Sequence, residues 1–283
     1  MTMTAYDETM TFTPRRDARL GPLEFETVEI AGLPIARLTR EETAHLLIDL
    51  ATTYRRGDRP WFTTSANGHV SSLSALDPEF KALMRTADVI NADGQPVRFA
   101  APFVARTSFK ERVATTDLVH DIARLSKTRP VTMFFLGATE EENARAVTNM
   151  QRLYPHLQVA GRLHGYHSAA EWPERLKEIN ALKPDILWLA LGVPYEQRFY
   201  DTYKHLLADV GVVKTSGGLF NFLSGSAKRA PAWMQATSME WAYRVWQEPR
   251  RLFWRHFVTS PHAVWVLLTT KSSGVSRRKL RLP

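Results

Sequence analysis

Between Pro130 and Gly218 the chain repeats one pattern, and that pattern restricts the fold more than any other feature. "PVTMFFLGA", "LQVAGRLHGY", "DILWLALG" and "VGVVKTSGG" read as strands, with "EEENARAVTNMQRLYP", "AAEWPERLKEINALKP" and "YEQRFYDTYKHLLA" as the helices between them. The strands are nearly continuous apolar runs, as a parallel sheet covered on both faces requires. Upstream, "VEIAGLPIARL" reads as a hairpin around Gly32 and "PWFTTSAN" as a strand. "TREETAHLLIDLATTYRRG" reads as a helix capped by Thr39 and stopped at Gly57. "FKALMRTADV" runs from a short helix into a brief strand ending in Ile90-Asn91-Ala92-Asp93-Gly94-Gln95-Pro96. The expected architecture is α/β: a Rossmann-like, mostly parallel sheet with helices on both faces.

Such sheets bind ligands beyond the carboxyl ends of their strands. Here those ends are "TTSAN", "NADGQP", "FFLGAT", "ALGVPYEQ" and "TSGGLFNF", all rich in small, polar and glycine residues. Several chemistries are disfavoured. There is no GxxxxGK[ST] loop, no GxSxG elbow and no DxD pair, and "LGATEE" has too few glycines for a dinucleotide fingerprint. The nine histidines show no metal-ligand spacing, and the lack of cysteine removes disulfides, thiolate metal sites and thiol catalysis. Asp93 remains as the carboxylate at the end of an inner strand, where it could act as a general base. An Asp-Gly turn, or the N-cap of "QPVRFAAPF", would use the same aspartate. Asn67 could bind a sugar or base, or cap the next helix. Gly217 and Gly218 could offer backbone N–H groups to a phosphate, or could simply make a tight strand-to-helix turn.

The charge is unevenly spread. From Lys228 onward there are eleven Lys/Arg and two Asp/Glu, and five of the eight tryptophans: Trp233, Trp241, Trp246, Trp254 and Trp265. The chain before it is close to neutral. Helical patterning replaces the alternation there, followed by the basic stretch "KSSGVSRRKLRLP", so residues 228–283 are expected to form a basic, Trp-rich helical appendage to an α/β domain over 23–227. Met1 to about Pro22 reads as a flexible leader. The first thirty residues lack a signal-peptide core and no apolar run is long enough to span a bilayer, so a cytoplasmic protein is expected. The aromatic and arginine-rich appendage could grip single-stranded nucleic acid, lie on an anionic membrane, or pack as a helical hairpin on the body.

Taken together, "TTSAN", "NADGQPV", "ERVATTDL", "LGVPYEQRF" and "SGGLFNFLSGSAKRAPAWMQATSMEWAYRVWQEPRRLFWRHF" resemble the WecG/TagA/CpsF family of bacterial glycosyltransferases, glycosyltransferase family 26, from about Val28 to Phe257. The resemblance implies inverting transfer of a hexose or N-acetylhexosamine from a UDP-sugar to a polyprenyl-diphosphate-linked saccharide, for exopolysaccharide or cell-wall synthesis. It implies a peripheral protein at the inner membrane face, binding an anionic lipid surface and no nucleic acid, with a homo-oligomer left open. Asp93 falls on the family's proposed base, with Gly94 allowing the bend that presents it. Asn67 falls on the family's TxN element, and Ser65 replaces its threonine. Arg229, Arg244, Arg250 and Arg251 match the appendage arginines directed at the diphosphate. Backbone N–H groups near Gly217 and Gly218 would assist, with no cofactor and no metal expected. Two departures stand out. The family's "PKQE" is Pro194-Tyr195-Glu196-Gln197, leaving Glu196 and Gln197 as exchanged substrate-binding candidates, and its "GG.FDF" aspartate is Asn221.

Overall fold

The computed structural model describes residues 23–231, 234, 239–247, 260–270 and 272–282, with backbone alone for Glu240, Trp241, Arg244 and Gln247. The expected leader lies outside the described residues. A single nine-stranded sheet is built from β1 (Leu23–Ile30), β2 (Leu33–Ala36), β3 (Trp61–Ala66), β4 (Val89–Ala92), β5 (Thr132–Gly137), β6 (Gln158–Leu163), β7 (Ile186–Ala190), β8 (Val212–Thr215) and β9 (Ser273–Leu280). Their order is β6-β5-β7-β8-β3-β4-β2-β1-β9. The seven strands from β6 to β2 run parallel, and β1 pairs antiparallel with β2 and β9. The β1–β2 turn is tight because Ala31 and Gly32 both take positive φ, of 53° and 75°, matching the strand twist.

The helices are α1 (Arg40–Thr52), α2 (Gly68–Leu76), α3 (Pro78–Arg85), α4 (Gln95–Val104), α5 (Thr115–Leu125), α6 (Glu140–Leu153), α7 (Trp172–Ala181), α8 (Tyr195–Tyr203) and the single turn α9 (Leu219–Leu223). Successive strand residues point to opposite faces, which makes two cores. Phe62, Ile90, Leu187 and Val213 pack toward Phe80 and Met84 of α3, Val97 of α4 and Phe199 of α8. Trp61, Met133, Phe135, Trp188 and Val212 pack toward Leu47 of α1, Ile122 of α5, Met150 of α6 and Phe220 of α9. Both faces of the inner parallel strands are thereby removed from water, so those strands can be continuously apolar, while the edge strand β6 stays partly exposed. Thr39 and Thr139 close capping boxes with Glu42 and Glu142, which fixes where α1 and α6 begin. The first of these helices ends at Thr52, ahead of Gly57.

The C-terminal region holds the helix Glu240–Gln247 and a helical stretch at 260–269. Ala263, Val266 and Leu267 of that stretch are buried, and His262 Nδ1 lies 2.8 Å from Ser72 Oγ on α2. The basic stretch read as the end of a helical appendage is instead the strand β9. The free edge of β1 decides this. Backbone pairing from Leu23↔Leu280 to Glu29↔Ser273 needs no apolar side chains, and an edge strand carries charges readily. Lys279 pairs with Glu24 at 2.7 Å, and Arg278 donates to the Ala87 carbonyl at 2.7 Å. Among the described residues no helix is long and apolar enough to cross a membrane.

Candidate active site

A cleft of about 1360 Å³ opens over the carboxyl ends of β3, β4, β5, β7 and β8. Its lining brings together Ser65, Asn67, Asp93, Gly94, Glu196, Gln197, Gly217 and Gly218 from segments far apart in sequence. Val245, Ser260, Pro261, Ala263 and Val264 of the C-terminal helices also line it.

Asp93 is held by the route of the chain. Its N–H donates to the Ala66 carbonyl at 2.9 Å, extending the β3–β4 pairing by one residue. Val113 N–H donates to the Ala92 carbonyl at 2.9 Å, so the segment entering α5 crosses the end of β4. That crossing brings Thr115 over the carboxylate. Its N–H, one of the donors left unpaired at a helix start, reaches Asp93 Oδ2 at 3.2 Å, and its hydroxyl reaches the same oxygen at 3.1 Å. Both bonds go to Oδ2, so one oxygen of the carboxylate is fixed by the start of α5. The aspartate is not a helix cap. The N-cap of α4 is Gly94, which makes no side-chain capping bond. Nor does glycine here serve to bend the chain, because its φ of 167° is extended backbone. A Cβ at Gly94 would lie 3.0 Å from Asn67 Cβ, so the glycine makes room for α2.

Asn67 is the N-cap of α2, its Oδ1 accepting from Val70 N–H at 3.0 Å, and it lines the cleft as well. Ser65 Oγ accepts from Lys214 Nζ at 2.9 Å and lies 3.2 Å from Thr115 Oγ1. Glu196, on the first turn of α8, is buried. Its carboxylate accepts from Gly217 N–H at 2.9 Å and Gly192 N–H at 3.2 Å. Burial pushes its pKa up to about 7, against the pull of Gly217 N–H and the Lys214 charge. The Gly217 N–H expected to face a phosphate is therefore already taken by Glu196. Gln197 Nε2 donates to Thr64 Oγ1 at 3.3 Å. Asn221 Nδ2 donates to Glu142 Oε1 at 2.8 Å, and both residues line the cleft. An aspartate at 221 would face that carboxylate as a like charge, which gives the departure from "GG.FDF" a local reason.

Arg229 is tied to Asp117 on α5 and is not among the residues lining the cleft. Arg250 and Arg251 lie outside the described residues, as does the Arg244 side chain. Three groups escaped the sequence reading. Arg112 lines the cleft, and Thr115 holds Asp93. Both sit in "ERVATTDL", a string noted above only for its family resemblance. Lys214 is fully buried on β8, where burial lowers its pKa to about 8 against the raising effect of Asp93 and Glu196. The signal for it was a lone lysine inside an apolar strand, "VVKT". Among the described residues no three His, Asp or Glu side chains gather as metal ligands.

The family model for "Glycosyl transferase WecG/TagA/CpsF family" matches residues 28–277. The chain belongs to the WecG/TagA/CpsF glycosyltransferase family. Within that family it resembles an "N-acetylglucosaminyldiphosphoundecaprenol N-acetyl-beta-D-mannosaminyltransferase" of Bacillus spizizenii strain W23, at 29% identity over 80% of this chain and 86% of the relative. Proteins of the same description from Bacillus subtilis strain 168 and Staphylococcus aureus strain MW2 match at 26% and 25% identity. They cover 74% and 68% of this chain, and 80% and 74% of their own lengths. This WecG/TagA/CpsF chain is thus a glycosyltransferase with an α/β fold, and its cleft lies where that fold places ligands. Neither the family nor these relatives supports the single-stranded nucleic-acid reading of the C-terminal region.

Proposed function

We propose that this glycosyltransferase moves a hexose or N-acetylhexosamine from a UDP-sugar to a polyprenyl-diphosphate-linked saccharide, in one inverting displacement, for exopolysaccharide or cell-wall synthesis. The observation that carries the reading is Asp93, anchored through Oδ2 at the base of a cleft shared by five strand ends. The cleft exceeds the roughly 300–1,000 Å³ of an ordinary small-ligand site, so donor and acceptor can lie in it together. Asp93 Oδ1 takes the proton of the acceptor hydroxyl as its oxygen bonds to the anomeric carbon and the bond to UDP breaks. The relatives' names make a prenyl-diphosphate-linked N-acetylglucosamine acceptor and an N-acetylmannosamine donor the first pair to test.

Charge on the departing diphosphate would be met by Arg112 in the cleft and by Arg244, Arg250 and Arg251 of the C-terminal region, without a metal. Arg229, paired with Asp117, is the weaker candidate for this role. The same basic, Trp-rich region would hold the protein on the inner face of the cell membrane, each basic residue near an anionic surface contributing about 1 kcal/mol.

A UDP-sugar panel assayed with short-chain prenyl-diphosphate acceptors, with and without EDTA, tests the reaction. Transfer by wild-type protein in EDTA and none by Asp93→Asn is the expected result. Full turnover by Asp93→Asn would remove the base. Because β9 belongs to the sheet, truncation near residue 228 would damage the fold, so the membrane role is better tested by Arg250→Glu with Arg251→Glu. That variant should bind anionic vesicles more weakly in co-sedimentation, and unchanged binding would refute this role.

A further inference from the structure

The parallel register lines up polar side chains under one face of the cleft floor. Ser65 stands opposite Asn91, Thr63 opposite Lys214, and Asp93 follows Asn91 by two residues, so all project to the same face of the sheet. Lys214 is the cation of this row. It is 0% exposed, and its three hydrogen bonds go to neutral oxygens: Ser65 Oγ at 2.9 Å, the Thr215 carbonyl at 2.9 Å and Thr115 Oγ1 at 3.5 Å. Burying an ammonium without direct carboxylate contact costs several kcal/mol, yet the strand would pack readily with an apolar residue here, as it does with Val212.

The hydroxyl protons can be assigned in order. Thr115 Oγ1 donates to Asp93 Oδ2, so its lone pairs must accept from Ser65 Oγ–H. Ser65 Oγ in turn accepts from Lys214 Nζ, which has no lone pair to offer when charged. The chain Lys214 to Ser65 to Thr115 to Asp93 therefore runs in one direction, every donor pointing toward the carboxylate. Bonds arranged this way polarise one another.

We propose that Lys214 is a positioning residue for Asp93, acting through Ser65 and Thr115 to orient this chain and hold the carboxylate by its Oδ2. The proposal rests on the reading of Asp93 as the base. Lys214 does not line the cleft, so its effect on substrate is indirect. The charged groups nearest it are Asp93 at the end of β4 and Glu196 on α8. Among the described residues, His69, Arg112, Glu142, Tyr166 and Tyr195 are the remaining ionisable groups lining the cleft.

Carbon-13 NMR of the aspartate carboxyl groups, with Asp93 identified by its absence from Asp93→Asn, follows the link directly and needs no substrate. In Lys214→Met the Asp93 carboxyl resonance should be displaced more than those of the other aspartates, because the donor chain ending on its Oδ2 loses its source. Transfer should lose kcat with KM little changed. Ser65→Ala, which removes the middle of the chain and leaves only the 3.5 Å contact from Lys214 Nζ to Thr115 Oγ1, should displace the resonance by a smaller amount, and it decides the question if Lys214→Met does not fold. An Asp93 resonance unmoved in Lys214→Met, or in Ser65→Ala where only that variant folds, overturns the proposal. Normal transfer by Asp93→Asn would instead overturn the base assignment, leaving the NMR result to judge the Lys214 link by itself.

Discussion

At the amino ends of the parallel strands, Asp88 and Asp185 are each clasped by an arginine and a backbone amide. Asp88 takes two bonds from Arg59, at 2.8 and 3.1 Å, and one from Phe62 N–H at 2.8 Å. Asp185 takes Arg55 at 2.7 Å, Thr132 N–H at 2.7 Å and its hydroxyl at 2.8 Å. At the carboxyl ends, Asp93 and Glu196 accept from hydroxyls and backbone amides, and Lys214 reaches Asp93 only through the Ser65 and Thr115 hydroxyls. A carboxylate clasped by a guanidinium and a backbone amide has its acceptor sites filled. One that leans on neutral donors with an oxygen spare can accept a proton. The same residue type thus secures strands at one end of the sheet and, in the reaction proposed above, would serve chemistry at the other.

Substitutions can break this contrast. The largest effect should come from Asp93→Asn, which should lower kcat by about 10²–10⁴-fold while UDP-sugar binding, measured by calorimetry, stays near wild type. Asp88→Ala should do the reverse. Leaving Arg59 half-buried without its partner should cost about 3 kcal/mol in urea denaturation, with activity per folded molecule retained; a selective loss of activity would erase the distinction between the two ends. Glu196→Gln should act on pH dependence. The folded state holds the Glu196 proton up to about pH 7 rather than the usual 4.5, so stability falls as pH rises through that window. The variant should lose that fall, a difference of about 2 kcal/mol once coupling to Lys214 is allowed for. Gly94→Ala should have the smallest effect, about 1 kcal/mol, because the backbone accepts alanine and only Asn67 must yield. A larger loss would mean that the carboxyl end is packed as rigidly as the amino end.

Much of this was legible in the sequence because it is written locally. Apolar runs gave the parallel strands, Thr39 gave the start of one helix, and the position of Asp93 past a buried strand marked the cleft. The rest depends on contacts distant in sequence. Thr115 becomes a partner of Asp93 only because Val113 crosses the end of β4. Lys214 meets Ser65 only when β8 lies beside β3. The "SGVSRRKL" segment has no apolar alternation to betray a strand, and it becomes one because the hairpin leaves an edge of β1 to fill.

That last strand changes how the cleft wall is delivered. Ala230 is buried and β9 is stitched to β1, so the cleft-lining residues Val245, Ser260, Pro261, Ala263 and Val264 lie in sequence between two anchored points. The entropy of fixing those two points is spent when the chain folds. The wall behaves as an intramolecular partner at high effective concentration. Lengthening its junctions should therefore weaken substrate binding without altering a single contact in the cleft.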